Sequence, residues 1–125
     1  MNNKTINVAI FEDEYYTAED LRQILSDMDP QYHVVGVAED VVGGVELLKR
    51  NRIDLIFADI ELCDGKSFEI FRRFPNRIPT IITTAYSQYQ DHTEDINVVD
   101  YMLKPIAPET IRKAVSHFQE EIVFY

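Results

Sequence analysis

Three carboxylates, one lysine and one threonine occupy telling positions in this sequence. Glu12 and Asp13 end the apolar run Ile6 to Phe11, Asp59 ends Ile53 to Ala58, Thr84 ends Thr80 to Thr83, and Lys104 follows Val98 to Leu103. Carboxylates that converge cannot all stay ionised without a counter-charge. A divalent cation supplies one, and oxygen ligands with no His or Cys beside them favour Mg2+, which takes only one or two carboxylates directly. Lys104 adds a fixed positive charge. Metal, ammonium and the Thr84 hydroxyl around one carboxylate form a pocket for a doubly charged phosphoryl group, with Asp59 as the nucleophile. Each residue also has an ordinary role open to it: Asp13 as a helix cap, Thr84 in a turn, Lys104 as a solvated surface lysine. Complementary groups falling by chance at four strand ends on one edge is the weaker reading.

The edge exists only if the apolar runs form a sheet. Ile6 to Phe11, His33 to Ala38, Ile53 to Ala58, Thr80 to Thr83 and Val98 to Leu103 each have the length of a buried parallel strand. Segments of helical period separate them, which is the pattern of α/β architecture. Such sheets bind ligands outside the carboxyl ends of their strands. Ala18, Leu21, Leu25 and Met28 define a first helix that Pro30 closes. Asp40 caps a second helix carrying Val41, Val45 and Leu48, with Gly43 and Gly44 inside it at a cost of about 1 kcal/mol each. A third follows Gly65 with Phe68 and Phe71, and a last begins at Pro108 with Ile111, Ala114, Val115, Phe118 and Ile122. Ser87 to Asp95 offers almost nothing to bury, and a short, loose helix is expected there.

Composition narrows the classes. The 125 residues fit one domain, expected over residues 1–125, and 46% hydrophobic content supports a core. No apolar stretch approaches a membrane span, and Met1-Asn2-Asn3-Lys4 leads into no signal-peptide core, so a cytoplasmic chain is expected. The formal charge of −10 argues against direct nucleic-acid binding. Cys63 is the only cysteine, which excludes an internal disulfide and leaves it as small apolar filler. His33, His92 and His117 lack ligand spacing and read as incidental.

Four segments, Val8-Ala9-Ile10-Phe11-Glu12-Asp13-Glu14, Leu55-Ile56-Phe57-Ala58-Asp59-Ile60, Thr83-Thr84-Ala85-Tyr86 and Asp100-Tyr101-Met102-Leu103-Lys104-Pro105-Ile106, closely resemble the response-regulator receiver family of two-component signalling. The match runs from about Lys4 to about Ile122. The resemblance implies a flavodoxin-like doubly wound parallel sheet of five strands, order 2-1-3-4-5, flanked by five helices. It implies that Asp59 accepts a phosphoryl group from a sensor histidine kinase, with Mg2+ held by Glu12, Asp13, Asp59 and the backbone carbonyl of Glu61. Thr84 and Lys104 would contact phosphoryl oxygens, and Lys104-Pro105 is often cis in the family. Tyr101 resembles the family's switch aromatic, moving with Thr84, Ser87 to Asp95 and the last helix to control an output such as transcription. The other reading of Tyr101 is a core aromatic with its hydroxyl at the surface. Glu61 and Tyr86, each two residues beyond a site residue, bear on attack of water on the acyl phosphate. Such a chain is no enzyme beyond its own aspartyl phosphorylation and dephosphorylation. The third and fourth segments look most like receivers that precede a LytTR-type DNA-binding domain. Thr93-Glu94-Asp95 departs from that subgroup, which tends to place an alanine and an aromatic there, so the carry-over of its dimer contacts, and with it a receiver homodimer, stays open.

Three other readings compete. A haloacid-dehalogenase-like Mg2+ phosphohydrolase places two aspartates two apart after its first strand, where this chain has Glu12 and Glu14 around Asp13. A flavodoxin-like cofactor binder needs a glycine- and hydroxyl-rich phosphate loop there, and acidic residues repel phosphate. A receiver-like interaction module independent of phosphorylation would not need the full set of site residues.

Overall fold

The computed structural model describes residues 5–85 and 96–123. Five strands, β1 (Ile6–Phe11), β2 (Tyr32–Ala38), β3 (Leu55–Asp59), β6 (Thr80–Thr84) and β7 (Val98–Leu103), form a parallel sheet in the order β2-β1-β3-β6-β7. Counting sheet strands alone, this is the expected 2-1-3-4-5. A two-stranded antiparallel hairpin, β4 (Glu61–Leu62) and β5 (Gly65–Lys66), intervenes after β3. The described helices are α1 (Tyr15–Met28), α2 (Val41–Arg50), α3 (Phe68–Arg73) and α4 (Pro108–Val123). The helix expected over Ser87 to Asp95 lies outside the described residues.

The central strands are apolar on both faces because helices cover both. On one face Val8, Ile10, Leu55, Phe57 and Ile81 pack with Leu21 and Leu25 of α1 and Ile111, Ala114, Val115 and Phe118 of α4. On the other, Phe11, Ile56, Ala58 and Ile82 pack with Val41, Val45 and Leu48 of α2 and Ile70 and Phe71 of α3. Strand order and right-handed crossovers put α1 and α4 on one face and α2 and α3 on the other, where their apolar sides build two cores around one sheet.

Local chemistry sets the boundaries. Asp40 caps α2 through a 2.7 Å bond from the Gly43 N–H to its Oδ1. Gly44 repays its low helix propensity by letting α2 approach α3, since a Cβ there would sit 2.3 Å from Ile70 Cδ1. The third strand starts at Leu55 rather than Ile53, where pairing with β1 begins, and runs through Asp59, so the acidic residue is the strand's last member. Cys63 is exposed at the hairpin tip rather than buried as filler. No helix among the described residues is long and apolar enough to cross a membrane.

Candidate phosphoacceptor and metal site

Parallel register carries the acidic and basic residues to one edge. Phe11 pairs with Ala58, and Asp59 with Thr83, so Glu12 and Asp59 leave adjacent strands side by side. Thr84 pairs with Leu103, and the Lys104 N–H donates to the Thr84 carbonyl at 2.9 Å, fixing the start of the Lys104 side chain next to Thr84. The Glu12 N–H donates to the Ala38 carbonyl at 2.9 Å, which holds the first loop against β2.

Glu12 and Asp59 are 4% and 6% exposed. Lys104 satisfies both, with Nζ 2.7 Å from Asp59 Oδ2 and 2.9 Å from Glu12 Oε1. Backbone amides take up further lone pairs: the Glu14 N–H donates to Glu12 Oε2 at 3.0 Å, and the Glu61 N–H reaches Asp59 Oδ1 at 3.3 Å. Burial pushes the Glu12 carboxyl above its ordinary range, the hydrogen bond from Lys104 pulls it back down, and the charge of Asp59 pushes it up again, leaving it raised. Burial alone would lower the Lys104 ammonium, but hydrogen bonds to Asp59 and Glu12 outweigh it and hold the amine protonated above the usual lysine range.

Asp13 is exposed, yet carboxylate oxygens of Glu12, Asp13 and Asp59 lie within 4.8 Å of one another. Three oxygen donors with no nitrogen or sulfur among them fit a hard divalent cation, and exposed Asp13 leaves an open side for its waters. Asp13 is not a helix cap: Glu14 holds the N-cap position of α1 and makes no side-chain capping bond. Glu61 follows Asp59 by two residues, in β4. The Thr84 residue is 4% exposed at the end of β6, and the Lys104–Pro105 peptide is cis. Tyr101 stands apart on edge strand β7, 37% exposed, so it is not a core aromatic.

Two features have weak sequence signals. The hairpin after Asp59 brings Lys66 to Glu61 at 2.8 Å, and only Gly65, with φ +150°, hinted at a turn. His117 is not incidental: its Nδ1 lies 2.6 Å from Asp100 Oδ2, tying α4 to β7 beside Tyr101. His33 is exposed, and His92 and Tyr86 lie outside the described residues.

A five-stranded doubly wound sheet with an aspartate, a lysine and a carboxylate pair at its carboxyl edge defines the class of receiver folds. The sequence matches the response regulator receiver domain family over residues 8–116, and the chain belongs to that family, as the receiver domain of a two-component response regulator. It is 28% identical over 119 residues to the sensory transduction protein LytT of Bacillus anthracis, covering 93% of this chain and 48% of that protein. The LytT of Enterococcus faecalis is 30% identical over 120 residues, covering 94% and 49%. The chain thus spans about half the length of the curated relatives it matches. Among solved structures, the response regulatory domain of protein mrkE from Klebsiella pneumoniae superposes with a TM-score of 0.80 at 22% identity, covering 93% of this chain and 97% of that one, a likeness of fold.

Proposed function

We propose that residues 1–125 act as one phosphoacceptor receiver unit, in which Asp59 takes a phosphoryl group from a sensor histidine kinase and Mg2+ is required. The single observation that carries this reading is the shared contact of Lys104 with Asp59 and Glu12 at a buried sheet edge. Asp59 Oδ attacks the donor phosphorus, the bond from phosphorus to the donor nitrogen breaks, and the leaving imidazole keeps the electron pair. Lys104 already lies on the nucleophile's carboxylate, where it neutralises the oxygens of an incoming phosphoryl group without reorganisation. Glu12, Asp13, Asp59 and the Glu61 carbonyl would hold Mg2+, which when bound offsets the charge gathered there. The Thr84 hydroxyl takes another phosphoryl oxygen.

A groove beside the site, between α1 and the segment after Lys104, is lined by apolar Leu21, Ile24, Pro105 and Ile106 and by polar Glu14, Thr17, Asp20 and Lys104. Tyr15 and Tyr16 stand exposed at the start of α1, their rings 5.3 Å apart edge to face. A groove of mixed apolar and charged lining along α1, the helix whose first turn exposes two tyrosines, suits a protein partner, and kinase docking is proposed on this side. Tyr101 and α4 are proposed to carry the phosphorylation signal to an output that, by likeness to the LytT proteins, is transcriptional; a LytTR-type DNA-binding domain and a receiver homodimer are the partners this implies. The chain itself works in the cytoplasm, catalyses only its own phosphorylation and dephosphorylation, and grips no DNA.

Intact-mass spectrometry after incubation with a small phosphodonor tests the reading. One added phosphoryl group is expected with Mg2+, none with a chelator, and none in Asp59→Asn. A folded native chain that gains nothing in Mg2+ would instead favour a phosphorylation-independent interaction module.

A further inference from the structure

The hairpin that follows Asp59 holds a charge pair at the mouth of the site. Ile60 is fully buried, and its carbonyl accepts from the Ser67 N–H at 2.9 Å, pinning the hairpin's base. Leu62 is 6% exposed, and the Cys63 N–H reaches the Glu39 carbonyl at 3.4 Å, pinning its tip. Gly65 takes the left-handed backbone that lets β5 return, and this sets Glu61 directly across from Lys66. The two side chains meet at 2.8 Å, each about half exposed. The Glu61 N–H reaches Asp59 Oδ1 at 3.3 Å, which places the base of this charge pair directly at the acceptor carboxylate.

We infer that Lys66 is a positioning residue that sets the lifetime of the phosphorylated state by holding the Glu61 carboxylate off the path of attacking water. The inference rests on Asp59 being the phosphoacceptor. In hydrolysis, water oxygen bonds to phosphorus, the bond from phosphorus to Asp59 breaks, and Asp59 leaves with the electron pair. The water protons end on the released inorganic phosphate. A carboxylate that accepts a hydrogen bond from that water aligns it for attack, and Glu61 is two residues from the acceptor. Bound to the Lys66 ammonium, its Oε2 is held on the hairpin instead. Lys66 therefore slows loss of the phosphoryl group without touching it.

The test follows loss of the phosphoryl group from pre-phosphorylated chains by intact mass, in Mg2+ after removal of the small phosphodonor. Lys66→Met is expected to shorten the lifetime by about ten-fold, below the hundred-fold and more that a fully built base position gives. Lys66→Arg keeps the charge and restores the native lifetime. Glu61→Gln and the double variant Lys66→Met/Glu61→Gln decay at the same rate as each other, because Lys66 acts only through Glu61. A native lifetime in Lys66→Met overturns the inference, as does equal acceleration by Lys66→Met with Glu61 or Gln at position 61. Lys66→Arg decaying as fast as Lys66→Met also overturns it. A native chain that acquires no phosphoryl group overturns the parent reading and this one together, and is recognised because there is no adduct to time. Both side chains lie at the surface, so each variant's thermal melt confirms that the fold is intact.

Discussion

Strand β3 contains the molecule's two kinds of burial within five residues. Leu55, Ile56, Phe57 and Ala58 are each 0% exposed and apolar, while Asp59, the next residue, is 6% exposed and acidic. The body of the strand gains from its burial, because apolar surface leaves water on both faces. The end of the strand loses by it, since desolvation opposes charge and Glu12 adds a like charge beside it. The contrast teaches where stability and chemistry are kept: the sheet interior supplies a rigid frame, and its carboxyl edge holds charges that tolerate one another chiefly through Lys104.

Substitutions in the two regions should therefore differ in sign as well as size. Phe57→Ala, in the strand body, should lower unfolding free energy by about 4 kcal/mol through lost burial and the cavity left behind, read from urea denaturation. A cost under 1 kcal/mol would mean the central core is looser than its burial indicates. Lys104→Met, at the edge, should cost about 3 kcal/mol, because two buried carboxylates lose their shared cation. Here pH sharpens the comparison. A folded-state ammonium raised above its ordinary range contributes stability that is whole at neutral pH and is lost as pH rises through its folded value. The gap between native and Lys104→Met stability should thus close in strong alkali, whereas the Phe57→Ala gap should persist wherever both chains fold.

Glu12→Gln should show the smallest effect and the opposite sign. The raised Glu12 carboxyl contributes favourably only below the ordinary glutamate range, and that contribution is lost as pH rises through its folded value. At neutral pH without metal, removing the charge should stabilise the fold slightly, and the gain should vanish in acid. Mg2+ should then raise the melting temperature of the native chain more than that of Glu12→Gln. Destabilisation by Glu12→Gln at neutral pH would show that Lys104 more than repays the burial of Glu12.

Most of this arrangement was legible in the sequence because it follows from strand ends. Apolar runs of strand length locate the sheet, parallel packing sends their carboxyl ends to one edge, and Glu12, Asp13, Asp59, Thr84 and Lys104 fall there by register. The contact of Lys104 with Glu12 was not legible, since Glu12 and Lys104 lie on β1 and β7 ends that share no strand pairing. Two-residue strands carry no periodicity, so the β4–β5 hairpin and its Glu61–Lys66 pair left no trace beyond Gly65. Cys63 looked like filler because apolar character was read without knowing that it sits at the hairpin tip. The link between His117 and Asp100 joins residues 17 apart on different elements, beyond the reach of helical spacing.

The most direct measurement is to find which carboxylate carries the phosphoryl group. Borohydride reduces an acyl phosphate to an alcohol and leaves free carboxylates untouched, so treating the phosphorylated chain and mapping its peptides by mass marks the acceptor. The account predicts reduction at Asp59 alone, dependent on both phosphodonor and Mg2+. Reduction at Glu12 or Asp13, or at no carboxylate in a chain that has gained a phosphoryl group, would contradict it.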